Sequence, residues 1–143
     1  VRTKARKVVD AGRVEGYFLS TYSARKLGMK TTGNAGGSHN LTLRSRRTKP
    51  GDDLDEMLRK LGTGLFVIEL MGQGVNYVTG DYSRGAAGFW IENGKLTYAV
   101  SEVTIAGHLL EIFKSMVPAN DLTFKYGVNA PTVRIGELTI AGR

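Results

Sequence analysis

The chain has 143 residues, 41% of them hydrophobic, enough for one real core and too few for two. Cysteine is absent, which excludes disulfide frameworks, thiolate nucleophiles and thiolate metal sites together. The net charge of +7 is local, because residues 1–50 hold 12 Lys and Arg against Asp10 and Glu15 while residues 51–143 hold 8 against 11 acids; without aromatic interleaving, nucleic acid is not expected as a partner.

The sequence opens at Val1 without an initiator Met, an apolar leader or a run of apolar residues long enough to span a bilayer, so a cytoplasmic protein with no membrane segment is expected. Nineteen glycines against three prolines mark many tight turns between short strands. Lys7–Asp10 and Arg13–Leu19 read as two strands joined at Ala11-Gly12. Ser20 offers a capping hydroxyl and Gly28 a stop, which predicts a short helix between them. Thr31–Ser38, rich in Gly and Asn, is a shaped loop. His39–Arg47 alternates Asn40, Thr42 and Arg44 with Leu41 and Leu43, as a half-buried strand does.

Beyond Pro50-Gly51, Leu54, Met57, Leu58 and Leu61 recur at helical spacing, with acids in the first turn, bases in the last and Gly62 as the stop. Leu65–Met71 is an almost continuous apolar run broken only by Glu69, and predicts a central strand covered on both faces. The helix leucines are expected to face the same core as Phe66, Ile68 and Leu70. Val75–Val78 and Ala87–Ile91 read as further strands, and Glu92-Asn93-Gly94-Lys95 is the strongest hairpin signal, pairing Phe89–Ile91 with Leu96–Val100. Val103–Ile105 reads as a short strand and Leu109–Val117 as an amphipathic helix ended by Pro118. Strands at Leu122–Lys125, Thr132–Ile135 and Leu138–Ile140 complete a sheet-rich α+β domain over residues 1–143. Its sheet is mainly antiparallel or mixed, with two to three short helices.

No motif assigns a catalytic residue or a metal ligand. His39 and His108 form no His-x-x-x-His pair, and His108-Leu-Leu-Glu111 resembles only part of an inverted zinc motif. Ser23-Ala-Arg-Lys26 and Lys30-Thr-Thr-Gly33 lack the distant spacing and the Ser-Asp-Asn of serine acyl-enzymes. Asp81-Tyr-Ser83-Arg-Gly85 has Asp81 where a nucleophile elbow needs glycine, and Gly72-Gln-Gly74 meets Tyr77 where a dinucleotide site needs its third glycine. Two loops remain as candidates for peptide or partner recognition: Gly33, Asn34, Gly36 and Gly37 in the first, Asp81, Tyr82, Ser83 and Arg84 in the second. Asp81 and Arg84 are expected to pair with each other or to fix nearby backbone groups.

These same stretches carry a resemblance: Tyr17-Phe-Leu-Ser-Thr-Tyr-Ser-Ala-Arg-Lys-Leu-Gly28, Thr32-Gly-Asn-Ala-Gly-Gly37, Gly62-Thr-Gly-Leu65, Glu69-Leu-Met-Gly-Gln-Gly74, and above all Thr79-Gly-Asp-Tyr-Ser-Arg-Gly-Ala-Ala-Gly-Phe-Trp-Ile-Glu-Asn-Gly94. With Val100-Ser-Glu-Val-Thr-Ile-Ala-Gly107 and Leu138-Thr-Ile-Ala-Gly142, they resemble the C-terminal third of the TldD/PmbA family, on its PmbA (TldE) branch. The family has also been called a modulator of DNA gyrase and is classed with metallopeptidases. The resemblance implies a cytoplasmic TldD/TldE heterodimer that degrades or trims unfolded proteins and peptides, including peptide-antibiotic precursors. It places zinc in the TldD-like subunit, held by HExxxH in an earlier domain and a cysteine in the C-terminal one. The corresponding stretch here, Tyr126-Gly-Val-Asn-Ala-Pro-Thr132, has no cysteine, which favours the PmbA branch.

The expectation is therefore a module without its own catalytic set that completes a peptide-binding cleft and docks a TldD-like partner. The rival readings are a self-sufficient hydrolase, built on Ser83 or on a His108/Glu111 metal site, and a DNA gyrase modulator acting through the basic first third.

Overall fold

Two local signals organise Val1–Arg44, the first of two units into which the chain divides; the second is Ser45–Arg143. The computed structural model describes residues 1–142. In the first unit β1 (Val9–Asp10) pairs antiparallel with β2 (Arg13–Val14) across Ala11 and Gly12, whose φ angles of 53° and 84° make the turn that suits strand twist. The ladder is shorter than Lys7–Asp10 and Arg13–Leu19 predict, because Leu19 gives its backbone to the following loop, accepting from Thr32 N–H and Asn34 N–H. Helix α1 (Thr21–Lys26) starts at a full capping box, in which Ser20 and Ser23 each accept the other's backbone N–H, at 3.1 and 2.9 Å. Such a cap contributes about 1 kcal/mol. Leu19 and Ala24 are the buried residues of this unit.

His39–Arg47 does not form the expected strand, and Leu41 and Leu43 are exposed. Alternation supplies two faces, but a strand also needs a ladder, and no neighbouring strand offers one here among the described residues.

In Ser45–Arg143, α2 (Leu54–Leu61) begins at Asp53, which accepts from Glu56 N–H at 2.9 Å, and ends at Gly62. Met57 and Leu58 are buried. Just ahead of the helix Asp52 is only 2% exposed; its carboxylate takes the Lys60 ammonium and the Lys49 N–H, and its carbonyl accepts from Asn120 N–H. Lys60 first, then Lys49, hold the Asp52 carboxyl below its ordinary range. A depressed carboxyl stabilises the fold above its unfolded value and loses that contribution as pH falls through the folded value. Asp52→Asn is thus expected to lower Tm by several degrees at neutral pH. The gap to the native chain should close as melting is followed below about pH 4.

The main sheet has the order β3-β4-β5-β8, every pair antiparallel. It is formed by β3 (Gly64–Met71), β4 (Asp81–Glu92), β5 (Lys95–His108) and, late in the chain, β8 (Thr139–Ala141). Between β5 and β8 lie α3 (Leu109–Ser115) and a small ladder of β6 (Val117–Pro118) with β7 (Val133–Arg134). The β4–β5 turn is the predicted one, with Asn93 and Gly94 at φ 52° and 75°, and Gly94 N–H donates to Gly62 O at 2.7 Å. Ala86, Val103 and Ile105 form the buried centre, covered by Leu65, Val67, Tyr82, Val100 and Leu138. Among the described residues no helix is long and apolar enough to cross a membrane.

Strand β3 lies at the sheet edge, not its centre, and Ile68 is 63% exposed. Met57, Leu58 and Leu61 of α2 line one groove with the half-buried first part of β3 and with Ala130–Leu138, while Leu70 is exposed as well. Strand β4 begins at Asp81 and absorbs most of the expected Thr79–Gly85 loop, because β5 runs without interruption to His108 and offers it a ladder throughout. Val75–Val78 is a turn around Asn76, whose side chain accepts from Val78 and Thr79 N–H, and only Val75 bridges to Tyr82. Leu96–Val100 and Val103–Ile105 are one strand. Helix α3 stops at Ser115, and Leu122–Lys125 is irregular, its Lys125 N–H satisfied by Asn129.

Candidate functional site

The first loop belongs to Val1–Arg44 and is tied to itself. Thr31 Oγ1 donates to Leu19 O at 3.0 Å and accepts Gly33 N–H at 3.1 Å. Asn34 spans the loop, its Nδ2 donating to Gly37 O at 3.0 Å while Gly37 N–H returns to Asn34 O. Gly36 faces open space. Asn34 and Gly37 are thus engaged in shaping the loop, and Gly36 is its free position.

The second set lies in Ser45–Arg143, on β4. Strand alternation puts Asp81 and Ser83 on one face and Tyr82 and Arg84 on the other, so of the two expected arrangements Asp81 and Arg84 do not pair, while Arg84 does fix a backbone group. Asp81 Oδ2 accepts from Thr79 Oγ1 at 2.6 Å, and Arg84 Nη2 donates to Leu70 O at 3.3 Å with its Nε buried and unpartnered. Tyr82 packs against the Ala86–Val103–Ile105 centre. Ser83 N–H donates to Gly74 O at 2.7 Å, and a Cβ at Gly74 would stand 1.7 Å from Ser83 O, so this crossing requires glycine.

His108 sits opposite Asp81 in the ladder and caps α3. Its Nδ1 accepts from Leu110 N–H at 3.2 Å and its Nε2 faces Thr79 O at 3.1 Å, which one neutral tautomer satisfies with Nε2–H donating. Both ring nitrogens are thereby occupied, and neither is directed to Ser83. Glu111 holds Lys114 at 2.7 Å, and that hydrogen bond, with the Lys114 charge, keeps its carboxyl below the ordinary range.

Sequence reasoning missed a concave feature of this unit. A groove of about 1000 Å³ is lined by Leu61 and Leu65–Leu70, by Tyr82, Ile105 and Ile140 from the other three strands of the sheet, and by Ala130–Leu138. One flank of β3 pairs with β4, and the other has no strand partner among the described residues. The charged groups of the lining are Glu69, Arg134 and Glu137. The available signal was Leu65–Met71 itself, whose apolar content exceeds what the sheet covers.

A family profile for the PmbA/TldA metallopeptidase C-terminal domain matches residues 1–142. The chain belongs to the PmbA/TldD family. This PmbA/TldD domain is 47% identical over 144 residues to metalloprotease PmbA of Escherichia coli O157:H7, covering 100% of this chain and 31% of that protein. It is 45% identical over 143 residues to the metalloprotease PmbA homolog of Haemophilus influenzae, covering 99% of this chain and 31% of the homolog. The crystal structure of a candidate modulator of DNA gyrase from Bacteroides thetaiotaomicron VPI-5482 superposes with a TM-score of 0.84 at 32% identity, over 100% of this chain and 32% of that one. The chain thus spans about a third of the length of the curated relatives it matches. As for zinc, the described residues of this PmbA/TldD domain bring no three His, Asp or Glu side chains together, so they do not fit a zinc site.

Proposed function

We propose that this chain is the C-terminal module of a PmbA (TldE)-type subunit, non-catalytic itself, within a cytoplasmic TldD/TldE-type metalloprotease heterodimer. It contributes one wall of a peptide-binding cleft for unfolded proteins or peptides and docks the TldD-like subunit, which supplies the zinc. The observation that carries this reading is the unpaired flank of β3 together with an apolar groove that β3 helps to line. A strand edge offers unsatisfied N–H and C=O groups to any extended chain regardless of its sequence, and alternate side chains drop into the neighbouring groove. That is the recognition a protease of unfolded substrates needs.

The hydrolase alternative has less support. Ser83 lacks a base, since His108 is committed to Thr79 and Leu110, and Glu111 is engaged by Lys114. The gyrase reading rests on the exposed bases of Val1–Arg44, yet Arg6 and Lys26 stand over Phe18 and Tyr22, the rings a base would stack on.

The test uses the full-length protein with its TldD-like subunit and an unfolded peptide. Cleavage by the pair, lost on chelation, is expected. Ile68→Lys, at an exposed position of the groove, should lower peptide turnover about tenfold, or ~1.4 kcal/mol, with Tm unchanged. Chelator-sensitive cleavage by the 143-residue chain alone would overturn the reading.

A further inference from the structure

We propose that Arg134 makes the β3 groove selective for extended segments that carry an Asp or Glu side chain. The inference rests on the groove reading above and goes beyond it by naming the class of peptide. Strand β7 sets Arg134 between Val133 and Ile135 in the lining of the groove, and it is half-buried with its Nε removed from solvent and without a hydrogen-bond partner. Among the described residues no carboxylate lies within ion-pair distance of it, although Glu69 and Glu137 line the same groove. A guanidinium keeps its charge at any physiological pH and is costly to bury unless paired. The other arginine with a buried Nε, Arg84, offsets this by donating to Leu70 O. Among the described residues Arg134 has no such bond, and its planar fork matches a carboxylate in two parallel hydrogen bonds.

The geometry favours a side chain over a chain terminus. Lining residues lie on both sides of Arg134 in the chain, from Ala130 to Leu138, so the groove does not end at it. Side chains leave a strand perpendicular to its axis, whereas a terminal carboxylate lies along it. Glu69 and Glu137 would repel additional acids, so a single acidic residue within an otherwise apolar segment suits the groove best.

Binding to the 143-residue chain is measured by fluorescence anisotropy with labelled heptapeptides of alternating Val and Thr. One carries a central Glu and one a central Gln, both blocked at each end; a third keeps the Gln but has a free C-terminal carboxylate. The Glu peptide should bind about tenfold more tightly than its blocked Gln counterpart. Arg134→Gln should abolish that preference while leaving the Gln peptide's affinity unchanged, which also reports that the variant is folded. Arg134→Lys, the check should the Gln variant not fold, should retain only part of the preference. Equal binding of the two blocked peptides, a Glu preference that survives in Arg134→Gln, or a larger gain from the free C-terminus than from the central Glu overturns the assignment. If none of the peptides binds, the groove reading falls with it.

Discussion

Gly88→Ala is expected to cost at least about 4 kcal/mol and to leave the Ser45–Arg143 unit unable to keep its sheet. Gly88 is buried in β4, where the pairing slips register between Ala86 and Gly88 and, on the facing strand, between Val67 and Glu69. These irregularities bring the β3 backbone over the glycine. A Cβ there would lie 1.9 Å from Phe66 O, 2.9 Å from Phe66 C and 3.0 Å from Val67 Cα. All three are main-chain atoms held by the ladder, so no rotamer change relieves the clash, and the strands must separate. Denaturant unfolding checks this, with Gly36→Ala as the contrast. Nothing lies within 4 Å of a Cβ at Gly36, and that substitution should stay within about 0.5 kcal/mol of the native chain. Equal midpoints for the two variants would refute the packing described here.

Ile91→Ala is expected to lose about 2–5 kcal/mol, lowering Tm by roughly 10 °C or more. Ile91 is 0% exposed, the largest side chain wholly withdrawn from solvent, and sits opposite Gly64 on one side and Leu96 on the other. Gly64, as one of the two neighbours, has no side chain that could move into the space left by truncation. Ile91→Val should cost only about 1 kcal/mol, and a similar loss for both variants would mean that the site collapses freely.

How much of this was legible follows from whether a feature is local. Asn93-Gly94, the Ser20 cap and α2 were readable because each depends on neighbours within a few residues: positive φ angles, a hydroxyl three positions from its N–H, a leucine period. The place of β3 was not. An apolar run such as Leu65–Met71 records that burial is favourable but not which flank is paired, and strand order is set by partners far along the chain. Likewise the glycines around Asp81–Arg84 suggested a loop, but β5 supplied a ladder that made the segment strand and moved Asp81 and Arg84 to opposite faces. Of the candidate site, the Gly33–Gly37 loop was legible as a shaped turn. The groove was not, because Arg134 is one cation in a Val-Arg-Ile run whose lack of a partner shows only in three dimensions.

The pairing of β8 with β5 has a kinetic side. The β4–β5 hairpin closes over two turn residues and gives up little chain entropy in doing so, whereas β8 reaches Thr104–Ala106 only after the whole stretch from Leu109 to Leu138 has been looped out. Contacts of long sequence separation form after the local ones that template them. The expected order of assembly is therefore outward from the central hairpin, with β8 closing last.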